Sequence, residues 1–202
     1  MSLKFEIIET KRKKEIAKIL VEKNHSYVPT FDSVGRRIDW LIYEENEIIG
    51  MIGIGSSVYP PPKDLLEWLG MSKSEYAKNF NSFANNWRFC LKKREKNLGT
   101  RVLRYLRENA PHQWKLKYGD DLKWLITFVG GGNNGAVYRA DNWNEIGHTS
   151  GLPPHKAISM KWNDSNELKS GFVKPNGEDK KIIFAIKLKD KIVKNEIELF
   201  DL

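Results

Sequence analysis

Apolar and polar side chains alternate from Leu3 to Glu9, which predicts a strand, and the period then changes to that of a helix. Over Lys11 to Lys23, Ile16, Ile19, Leu20 and Val21 form the helical stripe. Alternation returns in two strands, Arg37 to Tyr43 and Ile48 to Ile54, joined by Glu44-Glu45-Asn46-Glu47 as a hairpin connection with Asn in the turn. Tyr59-Pro60-Pro61-Pro62 breaks the chain before a short helix, Lys63 to Leu69, and Ser72-Lys-Ser-Glu75 has the capping-box spacing of a second one. Trp87 to Leu91 reads as a strand, Lys92 to Asn97 as a basic loop and Leu98 to Glu108 as a helix with Leu98, Val102, Tyr105 and Leu106 inward. Pro111 is expected to start a separate helical turn or two. Leu122 to Val129 is an apolar strand buried on both faces. After Gly130-Gly-Gly-Asn-Asn-Gly135 come a short helix, Ala136 to Ala140, and extended chain from Asn144 to Thr149. Further on, Lys180 to Lys189 alternates as a strand, with Ile192 to Leu199 as its expected hairpin partner.

The fold class expected from this order is α/β (α+β), a mixed and mostly antiparallel sheet flanked by helices. Residues 1–162 form its domain, and residues 163–202 form an extension with a β-hairpin packed on it. Composition supports a real core: 40% of the 202 residues are apolar, with seven Trp, seven Tyr and nine Phe. The single cysteine, Cys90, excludes an internal disulfide and a multi-cysteine zinc site, and no His/Cys cluster has metal-ligand spacing, so no metal is expected. No apolar run approaches membrane-spanning length and no signal-peptide pattern opens the chain, so a soluble, cytoplasmic protein without membrane contact is expected.

The net charge of +8 is concentrated. Residues 163–202 hold eight Lys/Arg and eight Asp/Glu, whereas residues 87–123 hold eleven Lys/Arg against four Asp/Glu. A solvated helix face explains such a surplus, and so does a site for polyphosphate or nucleic acid; the clustering favours the second.

Two motifs fall in or next to this segment. Arg94-Glu-Lys96-Asn97-Leu-Gly99-Thr100-Arg101 follows a strand and opens a helix, where unpaired N–H groups and the macrodipole attract phosphate. It resembles the pyrophosphate loop of GCN5-related N-acetyltransferases (GNAT), Arg/Gln-x-x-Gly-x-Gly/Ala, with Asn97 in place of the first Gly. Asn134-Gly-Ala-Val-Tyr138-Arg139-Ala-Asp-Asn-Trp143-Asn-Glu-Ile-Gly147 resembles the later Asn-x-x-Ala-x-x-x-Tyr element of the same fold. There the Tyr protonates the departing thiolate, which makes Tyr138 the candidate acid. A Tyr packed under the sheet with its hydroxyl hydrogen-bonded is the alternative. The resemblance implies that Arg94, Lys96, Asn97, Gly99, Thr100 and Arg101 hold acetyl-CoA or another acyl-CoA.

A narrower resemblance covers most of residues 25–150. His25-Ser-Tyr27, Val34-Gly-Arg-Arg37, Ile48-Ile-Gly-Met-Ile-Gly53, Lys63-Asp64, Trp68-Leu-Gly70, Asn85-Asn-Trp-Arg-Phe89 and Asn97-Leu-Gly-Thr-Arg101 run in order. Trp114-Lys-Leu-Lys-Tyr118-Gly119, Thr127-Phe-Val129, Gly135-Ala-Val-Tyr-Arg-Ala140, Asn142-Trp143 and Gly147-His-Thr149 complete the series. Together they resemble the Druantia anti-phage protein A family and, more distantly, the phage Mom proteins, which modify adenine in DNA and so evade restriction. This implies DNA as partner and transfer of an acyl-type group to an exocyclic base amine. A non-catalytic DNA-binding defence module and an ordinary small-molecule or protein acetyltransferase are the competing readings.

On the acceptor side the candidates are His25, Ser57 and Asp64 for catalysis. For DNA they are Arg36, Arg37, Asp39, Tyr59, Arg88, Arg104, Arg139 and Trp143, through phosphate contacts or base stacking. Each has a plain structural alternative: a loop histidine, a turn serine, a solvated carboxylate, surface ion pairs and core aromatics.

Overall fold

The computed structural model describes residues 2–24, 31, 35–130, 132–149, 161–162, 168–169 and 180–189. Strand β1 (Leu3–Ile7) and helix α1 (Lys11–Asn24) lead into β2 (Arg37–Glu44) and β3 (Glu47–Ser56). Helices α2 (Lys63–Leu69) and α3 (Lys73–Lys78) and a short 3-10 turn precede β4 (Phe83–Leu91). The long helix α4 (Leu98–Tyr118), β5 (Trp124–Val129), α5 (Ala136–Ala140) and β6 (Asn144–His148) follow. A two-residue ladder, β7 (Lys161–Trp162) with β8 (Leu168–Lys169), and β9 (Ile182–Lys187) complete the set. Among the described residues, seven strands make one sheet in the order β1-β2-β3-β4-β5-β9-β6, in which only the β4–β5 pairing is parallel.

The two faces of this sheet are covered differently. On one, α4 and α5 enclose the largest apolar cluster, which includes Trp40, Ile52, Ile54, Leu98, Val102, Leu106, Trp114 and Tyr138. On the other, α1 covers a cluster with Leu41, Met51 and Cys90, and α2 and α3 cover one with Leu65, Tyr76, Phe83 and Ile126. The α3 capping box is present: Ser72 Oγ accepts from the Glu75 N–H, and Glu75 accepts from the Ser72 N–H.

Three expectations are corrected. Pro111 starts no new helix, because α4 passes through it. Leu98, Val102, Leu106, Ala110 and Trp114 recur every four residues and are all buried, so one stripe holds the helix together across the proline. Interior proline destabilises a helix by about 3 kcal/mol, whereas burying a Trp contributes about 4 to 6 kcal/mol at ~25 cal/mol per Å². The strand expected from Trp87 begins four residues earlier, at Phe83, since Phe83 and Ala84 are buried against both faces. The strand expected from Leu122 begins at Trp124.

Strand β9 lies between β5 and β6, pairing antiparallel with both. Its expected hairpin partner, residues 192–199, lies outside the described residues, as does His25.

Candidate functional site

The parallel pairing of β4 and β5 is short. It joins Phe83 to Trp124, Ala84 to Leu125 and Asn85 to Ile126, and there it stops. Beyond this point the strands part and leave a fork, whose cleft of about 470 Å³ is lined by Asn86, Trp87, Phe89, Thr127, Phe128 and Val129 from the strands. Asn133 to Tyr138 close it from the loop and helix that follow β5, and Arg94 from the loop before α4.

A bulge sets this parting. Gly53 pairs with Arg88 and Ile54 with Asn86, so Trp87 is the extra residue in β4. Asn86 fastens the bulge: its Nδ2 donates to Gly53 O at 2.8 Å and to Arg88 O at 3.1 Å. Thr127 Oγ1 donates to Asn86 O at 3.1 Å across the fork. The Asn86 Oδ1 in turn accepts a 2.8 Å hydrogen bond from the Tyr138 hydroxyl. Tyr138 is buried and packs edge-on to Phe89 and Trp143. Asn86 and Thr127 fall in motifs of the family resemblance, Asn85-Asn-Trp-Arg-Phe89 and Thr127-Phe-Val129, but sequence alone assigned neither a role in the site.

The N-terminus of α4 opens beside the cleft. Asn97, which stands where the related motif has its first Gly, takes the left-handed conformation at φ 62°, and no side chain caps the helix. Asn tolerates this conformation better than other side chains, so the substitution preserves the turn. Gly99 is needed for a different reason: a Cβ there would lie 2.5 Å from Val137 Cγ2, where α4 meets α5. Thr100 Oγ1 donates back to Asn97 O at 2.9 Å. A second cavity of about 290 Å³ runs along Phe89, Leu91, Lys93, Arg94, Glu95, Leu98, Gly99 and Val137, sharing Phe89, Arg94 and Val137 with the fork. Arg94 lines it and is exposed, and Lys96, Arg101 and Arg104 are exposed in the loop and helix that follow, whereas Lys92 lines a separate cavity against α1 with Ile16 and Leu20. Lys93 is bound by Glu44 and Glu95, which raise its pKa to about 12.

Such a site fits a phosphorylated acyl carrier. Helix α4 offers the first-turn N–H groups of an N-terminus whose Asn97 side chain makes no cap, that of Leu98 donating to Glu95 O, and the rim supplies cations.

Other candidate residues lie elsewhere. Ser57 is buried and its hydroxyl bonds that of Tyr76 at 2.6 Å. Asp64 accepts from the His148 N–H at 3.0 Å, docking α2 on β6. Arg36 pairs with Asp120 and lies 4.9 Å from the Tyr118 ring. Arg104 pairs with Glu108 at 2.8 Å, and Arg139 pairs with Glu145 at 2.5 Å. Trp143 is buried, its Nε1 donating to Asp141 at 2.9 Å, and Tyr59 is 66% exposed. Arg37, Asp39, Trp87 and Arg88 gather on the face opposite α4. There Asp39 accepts from Arg37 Nε and from Trp87 Nε1, and burial holds its carboxyl above the usual range despite both donors. Arg88 Nη1 donates to Trp87 O at 2.7 Å.

Against known proteins, the sequence signature of the Druantia protein DruA matches residues 1–152. The chain belongs to the DruA family. No curated protein matches this DruA-family sequence. Its fold is that of the GNAT acetyltransferases. Arabidopsis thaliana NAA60 in complex with acetyl-CoA superposes with a TM-score of 0.57 at 12% identity, over 93% of this chain and 99% of that one. A Bacillus subtilis acetyltransferase in complex with CoA gives 0.53 at 11%, over 93% and 100%. The ribosomal-protein-S18-alanine N-acetyltransferase of Escherichia coli gives 0.52 at 11%, over 94% and 96%. Among the described residues of this DruA-family chain, no helix is long and apolar enough to cross a membrane, and no group of three His, Cys, Asp or Glu side chains could hold a metal.

Proposed function

We propose that this DruA-family chain is an acyltransferase acting on DNA, moving an acyl group from acetyl-CoA or another acyl-CoA to an exocyclic base amine. The observation that carries the reading is the fork between β4 and β5, continuous with the uncapped N-terminus of α4 and its cationic rim. Bound acyl-CoA supplies an activated thioester. The first turn of α4, with Arg94, Lys96 and Arg101, binds its phosphates, and the walls of the fork orient the chain that leads to the acyl group. Transfer joins the base nitrogen to the acyl carbon, breaks the carbon–sulfur bond, and moves one proton from nitrogen to sulfur. Tyr138, held by Asn86 at the base of the fork, is the group assigned to deliver the sulfur's proton, with solvent restoring it.

DNA as acceptor is supported by the positive surplus of residues 87–123, in which Lys92, Arg104, Lys115 and Lys117 are exposed besides the cations assigned to the cofactor phosphates. The resemblance to Mom proteins points the same way.

Calorimetry with acetyl-CoA and longer acyl-CoAs, combined with mass spectrometry of nucleosides from DNA co-expressed with the protein, tests this directly. Binding that Arg101→Glu weakens, together with a nucleoside heavier by one acyl group, is the expected result. DNA affinity without acyl-CoA binding or a mass change identifies a non-catalytic module. Acylation of amines other than DNA identifies an ordinary acetyltransferase.

A further inference from the structure

On the sheet face opposite α4 and α5, a polar band separates the cluster under α1 from that under α2 and α3. Register fixes its members. Arg37 pairs with Gly55 and Gly55 pairs with Asn85, so the three form one row across β2, β3 and β4. Asp39, Gly53 and Arg88 form the next row, and the bulged Trp87 joins it through Asp39 at 2.9 Å. Gly55 places no side chain between Arg37 and Asn85, whose Cα atoms lie roughly 10 Å apart across two strand spacings.

Both ends of the first row carry a buried polar atom without a hydrogen-bond partner among the described residues: Arg37 Nη2 and Asn85 Oδ1. The rest of the Arg37 guanidinium is committed. Its Nε donates to Asp39 and its Nη1 to Phe31 O at 2.8 Å, and it lies 4.1 Å from the Phe31 ring centre and 3.9 Å from that of Trp87. Unpaired buried polar atoms destabilise a fold, and a donor and an acceptor orphaned in one row imply a partner that the described residues do not supply. The row also ends at the right place, because Asn85–Ile126 is the last pair before β4 and β5 part.

We propose that Asn85 and Arg37 form the acceptor-recognition row of the acyl-transfer site, an inference that rests on the function proposed above. A carboxamide presents an acceptor beside a donor, which complements an amine next to a ring nitrogen. Adenine and cytosine share that edge. Asn85 Oδ1 accepts from the exocyclic amine and Nδ2 donates to the ring nitrogen, which holds the amine at the mouth of the fork. Arg37 Nη2 donates to a second acceptor of the same nucleotide, and stacking on Trp87 keeps its guanidinium fixed.

The test is acylation of single-stranded oligonucleotides in which either dA or dC is the only amine-bearing base, with acyl-CoA affinity and melting temperature measured alongside. Asn85→Leu removes the orphaned polar group at nearly constant size. The expected result is a fall in kcat/KM for the oligonucleotide of about tenfold to a hundredfold, carried mainly by KM, with acyl-CoA Kd unchanged. The melting temperature stays at or above that of the wild type. Asn85→Asp, which keeps the acceptor and loses the donor, and Arg37→Lys show the same split between oligonucleotide and acyl-CoA. An Asn85→Leu protein that melts well below the wild type while its oligonucleotide kcat/KM is unchanged marks a water-bridged structural residue and overturns the proposal. Wild-type kcat/KM in Asn85→Asp does the same. If the wild type acylates no oligonucleotide, the function proposed above fails, and this inference fails with it.

Discussion

The Tyr138 hydroxyl donates to Asn86 Oδ1 at 2.8 Å, and through this bond helix α5 is tied to the strand bulge that opens the fork. Asn86 uses its amide nitrogen on Gly53 O and Arg88 O. One carboxamide thus joins β3, both sides of the bulge and α5, and the phenol proton assigned to the proposed chemistry rests on the Asn86 oxygen until it leaves that bond for the sulfur.

Replacing Tyr138 with Phe leaves a buried Asn86 oxygen without this donor. The expected stability loss is about 1 to 3 kcal/mol, read from denaturant unfolding. Acyl transfer falls by about 100-fold or more, while acyl-CoA affinity in calorimetry stays near wild type. Unchanged transfer removes Tyr138 from the acid role.

Gly99→Ala tests the contact between α4 and α5. The new methyl meets Val137 Cγ2, and the expected destabilisation is about 1 to 3 kcal/mol with weaker acyl-CoA binding. Val137→Ala as a second change relieves the collision, so a double-mutant cycle shows a coupling of at least about 0.5 kcal/mol. Additive effects contradict the close approach.

Asp141 is 5% exposed and accepts from Arg107 Nε at 2.8 Å, Arg107 Nη2 at 2.7 Å and Trp143 Nε1 at 2.9 Å. Asp141→Ala strands a guanidinium and a buried indole N–H. A loss of about 3 to 5 kcal/mol is expected in unfolding experiments, with Asp141→Asn milder. A loss under ~1 kcal/mol shows that the pair is not buried as described.

Cys90 is buried, and burial pushes its thiol pKa up to about 11 from 9.0. An acid whose folded-state pKa is raised contributes stability that is fully present below its unfolded pKa and is lost as pH rises through the folded value. Here that window runs from about 9 to about 11. Cys90→Ala therefore flattens the alkaline limb of the stability profile. At pH 8 a thiol reagent labels Cys90 at the rate of unfolding; fast labelling of the native protein contradicts its burial.

Helices α2 and α5 were legible to the residue, because Pro60 to Pro62 and Gly70 punctuate one, and Gly135 and Asn142 the other. Pro111 misled for a physical reason: local propensity broke a helix that the stripe ending in Trp114 holds together. Asn85 and Asn86 hid the start of β4, because consecutive asparagines are poor strand formers, and their importance lies in partners from β3, β5 and α5 that local pattern cannot reveal. The neighbours of β9 are equally non-local. Of the candidate phosphate loop, position and residue types were readable, and the structure adds that Asn97 adopts the backbone conformation a glycine would take.

Because β9 separates β5 from β6, the sheet cannot close in the order in which the chain is made. Strand β6 leaves the ribosome more than thirty residues ahead of β9, the strand it pairs with among the described residues, and until then β5 too has a bare edge. Pairings so distant along the chain form late and slowly, and exposed strand edges in the meantime invite association between nascent molecules. The segment past the matched family signature thus governs when β5 gains its second neighbour and the fork a rigid wall.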